Sequence, residues 1–173
     1  NNMAQGIYSD GCVLNYILEN RIINNSKEGI CLDNGTTANV FYGNIVKHNG
    51  KRYGQADQAL ANDFVLKIGR LKDGTAVAKL PGISIDNSIY NLLSANLVQH
   101  NSGGGIKMVR TGIFNIIAAN TIINNNEGAS DVFQFFGIEL GAAAADVPSS
   151  DLDFIASSAN IIMDNNIVGT HAA

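Results

Sequence analysis

The stretch GICLDNGTTANVFYGNIVKHN, Gly29 to Asn49, holds three short apolar runs (ICL, VFY and IV) separated by turn-forming residues. Its opening recurs as GIYSD at Gly6, GISID at Gly82, GIKMV at Gly105 and GIELG at Gly137. Its second half recurs as NYILENRIINN from Asn15, NLLSANLVQHN from Asn91 and NIIAANTIINN from Asn115. A last copy, IASSANIIMDN from Ile155, lacks the first Asn.

The spacing sets the architecture. Gly6 to Gly29 is 23 residues and Gly82 to Gly105 is again 23, while the other two gaps, 53 and 32, are one period plus insertions. A period this short, with three β-branched or aromatic runs, has no room for two helices. It fits one coil of a parallel β-helix, with three strands and three turns. A leucine-rich repeat needs Leu at fixed offsets, and those are missing. The predicted fold is all-β: a right-handed parallel β-helix of about five to six coils of about 23 residues with insertions. Residues 1–173 read as a single β-helix domain with an inserted loop at about residues 50–81, and as a segment of a longer solenoid.

Stacked coils bring equivalent residues within about 4.8 Å of one another. The chain has 23 Asn, far more than strands or helices favour, and stacking explains them. The repeat predicts three asparagine ladders: Asn15, Asn39, Asn91 and Asn115; Asn20, Asn44, Asn96, Asn120 and Asn160; and Asn25, Asn49, Asn101, Asn125 and Asn165. Amides stacked in this way hydrogen-bond along the column, and Asn tolerates left-handed turn conformations. Ile7, Ile30, Ile83, Ile106 and Ile138 are expected to face inward, with Ser9, Leu32, Ile85, Met108 and Leu140 two residues on. Ile22, Val46, Val98, Ile122 and Ile162 are expected to fill the third strand's interior.

Composition excludes several classes. Apolar residues make up 46% and net charge is −4, which argues against disorder and against a nucleic-acid-binding surface. No apolar run is long enough to span a membrane, and no signal-peptide pattern lies in this segment. Cys12 and Cys31 fall at different places in their coils and are expected to be free thiols.

Function on such a scaffold comes from outward side chains and interrupting loops. Three insertions flank the GI-x-x-D strand, and strand alternation lists its outward residues: Tyr8 and Asp10, Cys31 and Asp33, Ser84 and Asp86, Lys107, and Glu139, with Arg110 following. Asp33 and Asp86 occupy adjacent coils. Carboxylates that close can share a proton, hold Ca²⁺, or act as acid and nucleophile. Asp at a strand end is also a common turn former, so the column has a purely structural reading. The candidate catalytic residues are Asp33, Asp86, Lys107 and Glu139. The candidate substrate-binding residues are Tyr8, Asp10, Ser84, Arg110, Arg70 and Lys72. The last two belong to the basic insertion, which carries six of the chain's eleven cations and reads as a hairpin around Asp73-Gly74. His48 and His100 occupy equivalent turn positions with no third ligand evident. The outer side of the third strand carries Ile23, Ile123 and Met163, an apolar flank suited to a homo-oligomer such as a trimer.

The GI-x-x-D and N-x-[IV]-x-x-N coils resemble those of the pectate-lyase-like superfamily, which includes pectate lyases, polygalacturonases, alginate epimerases and phage tailspikes. The resemblance covers essentially the whole chain. It implies a secreted, extracellular or cell-surface protein acting on an acidic polysaccharide by lyase, epimerase or glycoside hydrolase chemistry, with polysaccharide as partner, Ca²⁺ as the candidate cofactor, and no nucleic acid or membrane partner. The alternative it implies is a non-catalytic β-helix of tailspike-shaft or adhesin type. Neither the DPHD-type motif of the epimerases nor the paired-Asp motifs of the polygalacturonases are present, which leaves the reaction open.

Overall fold

The computed structural model describes residues 2, 4–50, 80–109, 112–125, 137–141 and 159–169. Left-handed backbone recurs in them at five-residue steps. Leu14, Glu19 and Asn24 have φ between +56° and +59°, and Ala38, Gly43 and His48 follow between +55° and +65°. The same triplet returns at Tyr90, Ala95 and His100, at Phe114, Ala119 and Asn124, and at Ala159, Asp164 and Gly169. All but Gly169 immediately precede a ladder Asn. The turns therefore take their left-handed residue one place before the Asn, rather than at the Asn itself. A left-handed non-glycine residue costs about 1–2 kcal/mol, and the Asn that follows holds the corner by hydrogen bonds.

Five coils result, each with three strands. The first holds β1 (Ile7–Asp10), β2 (Tyr16–Leu18) and β3 (Arg21–Ile23). The second holds β4 (Ile30–Asp33), β5 (Val40–Tyr42) and β6 (Ile45–Lys47). The third holds β7 (Ile83–Asp86), β8 (Leu92–Ser94) and β9 (Leu97–Gln99). The fourth holds β10 (Ile106–Val109), β11 (Ile116–Ala118) and β12 (Thr121–Ile123), and the fifth β13 (Ile138–Leu140), β14 (Ile161–Met163) and β15 (Asn166–Val168). The first strands of all coils form one five-stranded parallel sheet, the second strands another, and the third strands a third. The fold is a right-handed parallel β-helix, as the repeat predicts, with the handedness that parallel crossovers adopt.

Between the sheets lies an apolar core. Ile30, Leu32, Phe41, Val46, Ile83, Ile85, Leu93, Val98, Ile106, Met108, Ile117 and Ile122 are fully buried. Each contributes about 1.5–3 kcal/mol of burial. The polar ladders frame this core. Asn44 donates from Nδ2 to Ile17 O in the coil before it (2.8 Å) and to Asn96 Oδ1 in the coil after it (3.0 Å). Its own Oδ1 accepts the backbone N–H and side-chain amide of Asn20 at 2.9 and 3.0 Å. Every donor and acceptor of the amide is used, so a buried polar residue carries no unsatisfied cost.

The last coil corrects the expected register. Asn160 accepts the backbone N–H of Asn115 at 2.8 Å, and Asn165 accepts from Asn120 at 3.0 Å. β14 pairs with β11 and β15 with β12, placing Ile161 beside Ile116 and Asn166 beside Thr121. The fifth repeat is therefore NIIMDNNIV from Asn160, with its first Asn intact. Asn160 belongs to the Asn15 ladder and Asn165 to the Asn20 ladder. Ile162 lies in the second sheet, not the third, and Met163 leaves the third strand's flank. Gly169 takes the left-handed place that Asn124 holds in the fourth coil.

Candidate functional site

The first sheet presents two outward rows, fixed by its register. Tyr8 lies beside Cys31, Cys31 beside Ser84, Ser84 beside Lys107, and Lys107 beside Glu139. Two residues along, Asp10 pairs with Asp33, and Asp86 pairs with Val109 in the fourth coil. Each row advances one strand spacing, about 4.8 Å, per coil. The Asp row thus ends at Asp86, and the first row ends in a Lys–Glu pair.

Local chemistry divides this strip. The Tyr8 hydroxyl donates to Asp33 Oδ2 at 3.3 Å, and Asp33 Oδ1 accepts the Asn34 backbone N–H at 2.8 Å. Gly11, Asn34 and Asn87, the residues following the three aspartates, all have positive φ. At Asp33 the turn-forming reading is therefore realised, alongside a contact that reaches into the next coil. Desolvation, then the negative charges of Asp33 and Asp10, push the Tyr8 phenol up to about 12. Lys107 Nζ lies 3.3 Å from Glu139 Oε2, both side chains being about one-third exposed.

Cys31 departs from its expected outward, accessible place. It sits on the outer face by alternation, yet is only 8% exposed. Burial, then the charges of Glu28, Asp33 and Asp86, raises its thiol well above the ordinary range, against a smaller opposing effect from Lys27. Glu28 is itself buried. Both cysteines are free.

The structure brings Tyr8, Asp10 and Asp33 together at one end of the strip and Lys107 with Glu139 at the other, with Ser84 and Asp86 between. Arg70, Lys72 and Arg110 lie outside the described residues, as does the hairpin expected around Asp73-Gly74. The chain leaves for that insertion at Gly50, whose N–H donates to Lys27 O at 2.7 Å, and is described again from Leu80, whose carbonyl accepts Gly103 N–H at 2.9 Å. Both points sit at the corner leading into the first sheet.

Among the described residues no three His, Cys, Asp or Glu gather closely enough to hold a metal ion. His48 and His100 are stacked, with ring centroids 5.3 Å apart and planes 21° apart. A second stack escaped the sequence reading. Tyr90 and Phe114 lie with centroids 5.0 Å apart and planes within 6°. The signal for it was the residue before the first Asn of each coil.

No curated protein matches the chain. A structure of a double mutant of the periplasmic alginate epimerase AlgG is similar at 19% identity with a TM-score of 0.49, covering 95% of this chain and 36% of that one. The chain thus spans about a third of that epimerase's length. The profile of a family described as periplasmic copper-binding protein (NosD) matches residues 1–134. With more than half of its length matched, the chain belongs to the NosD family of parallel β-helix proteins.

Proposed function

We propose that this chain is a periplasmic, polysaccharide-directed β-helix that engages its substrate along the outer face of the first sheet. The observation that carries this reading is the pair of outward rows, Tyr8–Cys31–Ser84–Lys107–Glu139 and Asp10–Asp33–Asp86. Hydroxyl-rich chains are held by carboxylates and amides that accept and donate in fixed directions. The finer proposal is an acidic polysaccharide. Lys107, Arg110, Arg70 and Lys72 would offset a uronate carboxylate while Asp86, at the end of the Asp row beside the coil of Lys107, removes the C5 proton. In a lyase the C4–O bond then breaks as a C4=C5 double bond forms, and the leaving oxygen takes a proton. The periplasmic placement follows the family's description.

The same description favours a second reading, copper binding. Copper takes imidazole and thiolate donors in a tetragonal or trigonal set. Among the described residues the fit is poor, because no group of three His, Cys, Asp or Glu is close enough together to hold a metal ion.

Incubation with a panel of uronate-containing and neutral polysaccharides, with and without Ca²⁺, tests the proposal. Ultraviolet absorbance of unsaturated uronates reports a lyase, new reducing ends report hydrolysis, and NMR reports epimerisation. Activity lost in Asp86→Ala or Lys107→Ala places the chemistry on the strip. If no polysaccharide binds or reacts while one copper ion binds tightly and His48→Ala or His100→Ala abolishes it, the second reading replaces the first.

A further inference from the structure

Lys107 stands between two coils of the strip. Its backbone is in register with Ser84 of the third coil on one side and with Glu139 of the fifth on the other. Ile106 and Met108, its neighbours in β10, are fully buried, so alternation holds the lysine on the outer face. There it is drawn to the fifth-coil side, with Nζ 3.3 Å from Glu139 Oε2.

The contact is a charge pair without a directed bond. Glu139 Oε2 is shielded from solvent, yet it accepts no hydrogen bond from a described residue. A shielded carboxylate oxygen is best stabilised by donors aimed at its lone pairs, and here it has the charge of the ammonium without that geometry. The two side chains are 35% and 32% exposed, so solutes reach the pair. An ion pair in such a setting adds little stability and gives way readily to a better-placed carboxylate. Glu139 is also remote from the chemistry assigned to Asp86. It lies two coils beyond the coil of Asp86, about 10 Å at one strand spacing per coil. Lys107 is one coil from Asp86 and two residues along the row, a diagonal of about 8 Å that a long side chain covers. Turned one way it meets Glu139, and turned the other way it reaches the coil of Asp86.

We propose that Glu139 is an internal substitute for the carboxylate of the substrate: it holds Lys107 toward the fifth coil in the free protein and yields it to a uronate carboxylate beside Asp86. The C6 carboxylate of a uronate is bonded directly to C5. A sugar that presents its C5 proton to Asp86 therefore carries its carboxylate one bond from that carbon, within the span of Lys107. A neutral sugar has no charge with which to draw the lysine away, so Glu139 sets the threshold that a carboxylate contact must pass. Its role is to position Lys107, and it does not touch the reacting atoms. The inference rests on the acidic-polysaccharide reading and adds a regulating residue to that site.

Binding of oligogalacturonates, oligomannuronates and neutral β-linked glucose oligomers is measured by calorimetry on the full chain. Glu139→Gln keeps the shape and removes the charge. It should strengthen oligouronate binding about threefold to fivefold, the size of a partly exposed ion pair that no longer has to be broken, and leave the neutral oligomers unchanged. Glu139→Ala should give the same gain, and denaturant unfolding checks that each variant folds. Lys107→Met should weaken oligouronate binding, and adding Glu139→Gln to it should bring no gain, because the gain passes through Lys107. If the native chain binds oligouronates and the Glu139 variants bind them equally well or more weakly, the inference is overturned while the polysaccharide reading stands. A gain that survives in the absence of Lys107 overturns it as well, as the general effect of removing a negative charge. If the native chain binds no member of any series, both readings fall.

Discussion

Asn96 donates from one Nδ2 both to Asn120 Oδ1 and to Phe41 O, each at 2.9 Å, and so ties three successive coils together. Its Oδ1 accepts the backbone N–H and the side-chain amide of Asn44, both at 3.0 Å. An Asp of the same shape has no donors and would set a carboxylate against two acceptors. Asn96→Asp should therefore destabilise the protein at neutral pH by about 1–3 kcal/mol for each orphaned acceptor. Denaturant unfolding measures it; native stability in this variant would show that the ladder does not hold the coils.

Gly82 opens the third coil where the chain passes close beneath the third sheet. A Cβ there would lie 2.6 Å from Asn101 Nδ2 and 2.7 Å from Val98 Cγ1. Its φ is not left-handed, so close approach alone demands glycine. Gly82→Ala should cost about 1–3 kcal/mol, the usual range for overpacking, and lower the unfolding midpoint. Gly35→Ala is the contrast: open space surrounds that position, so any cost there comes from its φ of +81°.

Cys12 is exposed and Cys31 buried. The thiolate is the reactive species, and burial together with neighbouring carboxylates holds Cys31 protonated. A maleimide or aromatic disulfide reagent should label one thiol in the native protein and two after denaturation. Cys12→Ser should remove the fast phase entirely; rapid labelling of Cys31 would mean that its cover opens readily.

Tyr8 should titrate late. Its phenol is raised from 10.0 to about 12, so the folded state favours the protonated form. That contribution to stability is fully present below about pH 10 and is lost as the pH rises through 12. Ultraviolet titration of phenolate should show one late component that disappears in Tyr8→Phe. In Asp33→Asn the component should move toward lower pH, since a neighbouring charge and a hydrogen bond are both removed. An unmoved titration would mean that Asp33 contributes nothing to the shift.

Much of the fold was legible because a solenoid writes its geometry into its period. The GI glycines, the Asn columns and the inward Ile and Val positions recur at spacings that only stacked coils satisfy. The candidate strip was legible as a set of outward residues, since alternation along β1, β4, β7 and β10 is a local property. Its covering was not. Cys31 alternates outward like Ser84, yet non-local packing buries it.

The final coil marks the boundary most clearly. The first and second ladders are separated by five residues, as at Asn115 and Asn120, and the second and third by five as well, as at Asn120 and Asn125. A lone pair five apart, Asn160 and Asn165, satisfies either assignment, so the repeat by itself determined that a coil was there and not which ladders it joined. Only the pairing of β14 on β11 and β15 on β12 decided that. The same holds for Tyr90 and Phe114. They lie 24 residues apart in sequence, and become a stacked pair of exposed rings because parallel coils superpose equivalent positions at one strand spacing.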